Sequence, residues 1–334
     1  MIRYGIVGFG LHAVRRLMPG FALARNSRVT ALSRRDMKQA RASAAQYNIP
    51  HIFNSAADLC VCPDVDAVLV ATPNSCHLEN VRLALQFGKP VLCEKPMAVN
   101  ANQCQQMVEV ARHANLLLGV AHVLRFDRSV ERIRERIAAG QIGRPVLVRS
   151  EFSFPGRNHV RKWIHDAKIA GGGPIADVGV HCVDALRFIL QDEIIRVAAL
   201  AISDSDSGTV EAAAVLSLEF ASGTLGSVLL STRAAYRTPL EVVGERGTLA
   251  ANNAFSVEDP VELELRQSGV ITERETLLNT DAYARQVDMF SAALEGKSHF
   301  PALGEEGWQN QHVLDAAYRS LRSGNFESVP IVRN

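Results

Sequence analysis

Two stretches of the chain set ionisable side chains next to turn-forming residues, where they can hold an oxygen or exchange a proton. The first is Val91-Leu92-Cys93-Glu94-Lys95-Pro96, an apolar run that ends in a carboxylate, an amine and a proline. The Lys95 ammonium is suited to hold a carbonyl or hydroxyl oxygen and to stabilise negative charge developing there. The second is Gly171-Gly172-Gly173-Pro174-Ile175-Ala176-Asp177-Val178-Gly179-Val180-His181-Cys182-Val183-Asp184. On a helix Asp177 and His181 share one face, with Asp184 three residues further on the same side. The imidazole is then flanked by carboxylates that orient it and raise its basicity. A free ammonium titrates near pH ~10.4 and a free imidazole near ~6.5, so His181 is the better proton shuttle at neutral pH.

A third motif supplies a place for a cofactor. Gly8-Phe9-Gly10-Leu11-His12-Ala13 follows a strand-like run directly and has the pattern G-x-G-x-x-A. Gly8 permits a tight turn, Gly10 lets the backbone approach a pyrophosphate, and Ala13 lets helix and strand pack closely while the helix N-terminus points at the anion. In a βαβ unit this is a dinucleotide signature. The second strand of such a unit ends in an acidic residue when the ligand is NAD, whereas here it reads Ala31-Leu32-Ser33-Arg34-Arg35. Ser33 removes the repulsion of a 2′-phosphate and Arg34 or Arg35 supplies a cation, which favours NADP over NAD. The alternative leaves both arginines solvated and gives the ribose to Asp36.

The elements that must position these groups follow from the pattern of apolar runs. Tyr4–Val7, Val29–Leu32, Ala67–Val70, Val91–Cys93 and Leu116–Val120 are short and nearly continuously apolar. They alternate with amphipathic stretches at Asp36–Tyr47, His77–Phe87 and Gln103–Ala114, which predicts a doubly wound parallel sheet with helices on both faces, a Rossmann α/β domain over residues 1–121. Residues 122–334 read as an α+β domain: helices over Asp127–Ala139 and Ile175–Leu190, then strands Ile194–Ile202, Ala212–Phe220, Thr224–Thr232, Leu240–Val243 and Val261–Arg266 in an open, mostly antiparallel sheet, with turns at Gly223 and Gly247. Glu131 and Glu135 interleave with Arg132 and Arg136 at helical spacing, so this charged helix reads as a solvated, salt-bridged face.

Composition excludes several classes. The 334 residues carry 36 Lys and Arg against 35 Asp and Glu, which lacks the basic excess of a nucleic-acid binder. No apolar stretch is long enough for a membrane helix, and the N-terminus enters a strand without a leader pattern, so a cytoplasmic protein is expected. The six cysteines read as reduced thiols, and Cys60 and Cys62 lack a second pair at zinc-site spacing, so no metal is expected.

Taken together these motifs make the sequence resemble the Gfo/Idh/MocA family, named for glucose-fructose oxidoreductase, inositol dehydrogenase and a rhizopine-catabolism protein. The likeness spans nearly the whole chain. It rests on the glycine turn, Ala71-Thr72-Pro73-Asn74 with His77, Glu94-Lys95-Pro96, and the GGG-x-x-x-D-x-G-x-H stretch ending at His181. The resemblance implies hydride transfer on sugars or related polyols by a Rossmann domain followed by a domain whose open sheet forms an oligomer interface, giving a homodimer or homotetramer. Members with Ser then Arg after the second strand include NADP-dependent 1,5-anhydrofructose reductase-like enzymes.

Carried over by position, Gly8, Phe9, Gly10, Leu11, His12, Ala13, Ser33, Arg34, Arg35, Thr72, Pro73, Asn74, His77, Glu94 and Lys95 would form the cofactor site. Lys95 would touch substrate oxygen and cofactor, His181 would exchange the proton, and Asp177 would orient substrate or histidine. The segment Phe154–His165 offers donors and one aromatic plane: Trp163 suits stacking on a sugar ring or packing in a domain junction, and Arg125, Arg161 and His165 suit bonding hydroxyls. Rival expectations are an NAD-dependent cyclitol or polyol dehydrogenase, a dinucleotide-sensing regulator without turnover, and a metal-dependent hydrolase using Asp177 and His181.

Overall fold

The computed structural model describes residues 1–156, 160–206 and 208–332. The chain divides into two compact units, Met1–Val123 with Asp281–Trp308, and Leu124–Thr280 with Gln309–Asn334.

The first unit holds strands β1 (Ile2–Val7), β2 (Ser27–Ser33), β3 (His51–Phe53), β4 (Ala67–Val70), β5 (Val91–Cys93) and β6 (Leu118–Val120). They form one sheet in the order β3-β2-β1-β4-β5-β6, all pairs parallel. This is the doubly wound order, and its switch point between β1 and β4 opens a crevice at the carboxyl ends of the strands. Every residue of β4 and β5 is buried, which is why these strands are apolar throughout instead of alternating.

The sequence reading placed everything after residue 121 in one domain, whereas Asp281–Trp308 belongs with the first unit. Burial explains the return. Tyr4 places its hydroxyl 2.8 Å from Ser291 Oγ, and Phe290 and Phe300 meet edge to face at 5.1 Å. A Cβ at Gly119 of β6 would come within 2.9 Å of both rings, so β6 is shaped to receive this segment. Its helix, Ala282–Leu294, was not expected from sequence, nor was the helix Gly304–Ser323.

The second unit is built on nine strands. They are β7 (Pro145–Ser153), β8 (Ile194–Ile202), β9 (Ala213–Phe220), β10 (Leu225–Ser231), β11 (Leu240–Gly244), β12 (Thr248–Ala251), β13 (Val261–Gln267), β14 (Val270–Leu277) and β15 (Glu327–Ser328). Their order is β14-β13-β12-β11-β7-β10-β9-β8-β15, antiparallel except for the pair β7 and β10. The charged helix, observed over Arg128–Ala138, differs from its expected solvated face. Arg136 is buried and reaches Glu273 and Glu275 of β14, each at 2.9 Å, while Arg132 pairs with Glu275 and Glu135.

Candidate active site

In the first unit the predicted cofactor residues gather at the carboxyl ends of β1, β2, β4 and β5. The turn after β1 is held to β2 by two bonds, from Gly8 N and Phe9 N to Ser33 O at 3.1 and 3.0 Å. Gly8 has φ +86°, and a Cβ there would lie 2.7 Å from Thr72 N, so glycine is required by backbone conformation and by the approach of the β4 turn. Gly10 differs. A Cβ on it would meet nothing nearer than Gly8 O at 3.8 Å, so packing does not demand glycine there. Open space over Gly10 is what a pyrophosphate needs, and on that observation the residues present fit a dinucleotide. Ala13 is buried as expected, whereas the Phe9 side chain turns into the core, 6.2 Å from Tyr47, and contributes only backbone to the turn.

At the end of β2, Ser33 is buried, Arg34 half-buried and Arg35 exposed. Arg34 bonds Gln39 through Nη2, and Asp36 caps the helix Met37–Tyr47 by accepting from Gln39 N at 3.1 Å. Asp36, the alternative reader of the ribose, is thus engaged as a helix cap.

Glu94 and His77 tie these turns together. The Glu94 carboxylate meets His12 Nε2 at 2.7 Å and accepts from its neighbour Lys95 N at 3.2 Å, joining the β5 end to the glycine turn. Burial pushes this carboxyl up, and the His12 imidazole and the Lys95 ammonium outweigh it, holding it at about 2. The buried His77 ring has Nε2 2.9 Å from Thr72 O and Nδ1 3.0 Å from Pro96 O, so it spans the β4 and β5 turns; burial keeps it below the ordinary histidine range despite those carbonyls. Glu94 and His77 therefore brace the loops predicted to touch the cofactor. The Lys95–Pro96 peptide is cis. In the fully described run Val91–Ala98 every residue except Lys95 is buried. One neighbour escaped sequence reading: Tyr283 lies edge-on to His12, ring centres 6.1 Å apart, and no local motif marks it.

In the second unit the helix predicted over Ile175–Leu190 forms in two parts, a π-helical turn Ile175–Gly179 and an α-helix Val180–Leu190. From Gly172 to Arg187 every residue is buried except Asp177 and His181. The imidazole stacks on Phe152 of β7, ring centres 5.8 Å apart, and Phe152 in turn meets Tyr236 and Phe255. The third expected member of this face is elsewhere. Asp184 is 1% exposed and accepts from Arg125 Nε at 3.0 Å and Nη2 at 2.6 Å, and from Asn310 Nδ2 at 2.8 Å. Asp184 is therefore committed to a buried ion pair, and Arg125, expected to bind substrate, is buried in it too. The chain extends through Asn310 to Arg187 and Glu193.

The remaining substrate candidates lie on the short 3₁₀ turn Lys162–His165 and the residue before it. The Arg161 guanidinium sits 5.6 Å from the Trp163 ring centre, and His165 is held below its ordinary range by partial burial and by the Arg233 and Lys162 charges. Arg157, Asn158 and His159 fall outside the described residues. Among the described residues no cluster of His, Cys, Asp or Glu has the makeup of a metal site, and no helix is long and apolar enough to cross a membrane.

A doubly wound dinucleotide-binding unit followed by an open mixed sheet, with a lysine at the β5 edge in one and an Asp-His helix in the other, defines a class of nicotinamide oxidoreductases. The chain belongs to the GFO/IDH/MocA family: residues 2–122 match its oxidoreductase domain with an NAD-binding Rossmann fold, and residues 130–250 match its C-terminal domain. It is 33% identical to the 1,5-anhydro-D-fructose reductase of Ensifer adhaerens over 92% of each chain. It is 32% identical to a D-xylose 1-dehydrogenase (NADP(+)) of Haloferax volcanii over 96% of this chain and 98% of that one. The crystal structure of aldose-aldose oxidoreductase from Caulobacter crescentus, complexed with glycerol, superposes with a TM-score of 0.92 at 26% identity over 98% of this chain and 99% of that one. The protein is an NAD(P)-binding oxidoreductase of a family that acts on CH–OH groups of sugars and polyols.

Proposed function

We propose that the protein uses NADP(H) to interconvert a carbonyl and a secondary alcohol on a sugar, sugar derivative or polyol. The observation that carries the chemistry is the burial pattern: two runs of the chain are buried except at Lys95 in one and at Asp177 and His181 in the other. Those side chains are of the types that such a reaction needs. The bound nicotinamide supplies or accepts the hydride. Lys95 holds the reacting oxygen and stabilises charge on it, His181 gives or takes the proton, and Asp177 orients substrate or imidazole. Stacking on Phe152 limits the ring's rotation, so His181 meets the oxygen in one orientation.

For the cofactor, support comes from Ser33 in place of an acidic residue, from Arg34 held by Gln39, and from Asp36 engaged as a cap. For the substrate, support comes from the relatives named for 1,5-anhydro-D-fructose and D-xylose. Trp163, Arg161 and a neutral His165 offer a stacking plane and donors of the kind a hydroxylated ring uses. Subunits associate through the open sheet as a homodimer or homotetramer; Leu200, Val215 and Leu229, in register across β8, β9 and β10, are 77%, 43% and 43% exposed and form an apolar row.

The test is an absorbance assay with aldoses, ketoses, dicarbonyl sugars and cyclitols, each with NADPH, NADP⁺, NADH and NAD⁺. Turnover of a sugar carbonyl or alcohol with the phosphorylated cofactor is expected. Faster turnover of cyclitols with NAD⁺ would replace the reading, and no turnover across the panel would remove it.

A further inference from the structure

The helix bearing Asp177 and His181 begins without a cap of its own. Pro174 stands at its N-cap and has no side-chain group to offer, so the backbone N–H groups of the first turn need acceptors from elsewhere. Two donors here, Gly173 N before the cap and Ile175 N of the first turn, are met by one carboxylate distant in sequence. Glu211, just before β9 and 8% exposed, accepts from Gly173 N through Oε2 at 3.0 Å and from Ile175 N through Oε1 at 2.9 Å. Tyr318, on the helix Gly304–Ser323, donates its hydroxyl to the same Oε1 at 2.9 Å. An anion at this end also opposes the positive pole of the helix.

The glycine run is cut to fit this pair. A Cβ on Gly172 would lie 1.7 Å from the Tyr318 hydroxyl, and one on Gly173 would lie 2.3 Å from Glu211 O. Gly173 O accepts from Asp177 N at 2.9 Å, so two hydrogen bonds through Gly173 lead from the Glu211 carboxylate to the residue predicted to orient substrate. The segment carrying Glu211 also grips the substrate candidates: Thr209 N donates to His165 O at 3.1 Å and Thr209 Oγ1 accepts from Ala167 N at 2.8 Å.

We infer that Glu211 and Tyr318 are positioning residues for the Asp177–His181 helix, setting where its first turn sits against the segment around His165. This rests on the proposed roles of Asp177 and His181. Neither Glu211 nor Tyr318 touches the reacting atoms in this account. Their effect runs through the helix start, where displacement by about 1 Å is enough to lower turnover by about 10²-fold.

The experiment compares the full-length protein with Glu211→Gln and Tyr318→Phe. The Gln amide keeps one acceptor and turns a donor toward the other N–H, whereas Phe removes only the shared hydroxyl. Expected are a fall in kcat of about 10- to 100-fold for Glu211→Gln and a smaller fall for Tyr318→Phe. Cofactor Kd should stay within twofold in both, because the cofactor turns lie in the other unit. Amide exchange over residues 173–181 should quicken in both while exchange in β1, β4 and β5 stays unchanged. Equal kcat in folded variants overturns the inference, and so does unchanged exchange at 173–181. If Glu211→Gln fails to fold, Tyr318→Phe carries both readouts, since it leaves the two backbone bonds in place. If the wild type turns over no substrate in the panel, the proposed function falls while the exchange measurement still decides the brace.

Discussion

Replacing Arg34 with Ala tests cofactor choice at a point the fold tolerates. The side chain is half-buried at the end of β2 and bonds Gln39, so it stands in one place without being part of the core. A charge-assisted hydrogen bond to a 2′-phosphate is worth about 1.5–3 kcal/mol, and partial exposure moves the estimate toward the lower figure through screening. At about 1.4 kcal/mol per tenfold, Arg34→Ala should raise the Kd of NADPH about 10-fold and at most about 100-fold. NADH, which lacks the phosphate, should bind within about twofold of its original Kd. The companion variant is Asp36→Ala. Because Asp36 caps the helix Met37–Tyr47 through Gln39 N, its loss should cost about 0.5–2 kcal/mol of stability and leave NADPH affinity nearly unchanged. Both Kd values are read by fluorescence titration at fixed ionic strength, and stability by denaturant midpoint. If Arg34→Ala leaves NADPH binding intact while Asp36→Ala weakens NADH tenfold, the carboxylate reads the ribose and the preference for NADP is wrong.

Lys95→Met and His181→Ala should each lower kcat by about 10²-fold or more with little change in cofactor Kd, measured by steady-state rates and titration; an unchanged rate removes that residue from the mechanism. Asp184→Ala leaves the buried Arg125 guanidinium without its carboxylate and should cost about 3–5 kcal/mol in chemical denaturation, far more than a lost surface pair. Acid should destabilise the protein in two windows. His77 sits below its ordinary range, so as pH falls through ~6.5 the unfolded chain takes up a proton that the folded one resists, and stability drops; His77→Gln should flatten that step. Glu94, held at about 2, stabilises fully above its unfolded value of 4.5 and progressively less as pH falls from there toward 2, which Glu94→Gln should abolish in midpoints taken across that range.

The parallel sheet is readable because strands buried on both faces must be apolar throughout, as Ala67–Val70 and Val91–Cys93 are. Strand β3 is three residues long and leaves no periodic trace. β7 mixes exposed Val146, Leu147 and Arg149 with buried Val148 and Ser150, a pattern without clean alternation, so Phe152 could not be placed beneath His181 from sequence. Local spacing put Asp177, His181 and Asp184 on one face of a helix, and the structure buries Asp184 while leaving the other two partly accessible. Helical spacing alone could not show that this carboxylate also pairs with a guanidinium 59 residues earlier. Glu211 caps backbone 38 residues upstream and lies beside a Ser- and Asp-rich turn, a setting in which a glutamate looks like an ordinary surface residue.

The two kinds of site differ in how the chain holds them, and the difference has a physical reason. In the proposed reading cofactor preference depends on one or two charges meeting a phosphate, a contact with loose geometry, and at the strand end Arg34 is half-buried and Arg35 exposed. Proton transfer needs an imidazole held to within a fraction of an ångström. In the proposed role His181 meets that need: it sits on a mostly buried helix, stacks on Phe152, and the same helix is tied by the Arg125–Asp184–Asn310 chain. Partly covering an Asp and a His on such a helix costs desolvation that apolar residues there would avoid. Between Gly172 and Arg187 they hold the two positions that are not buried, which is where the proposed chemistry needs them.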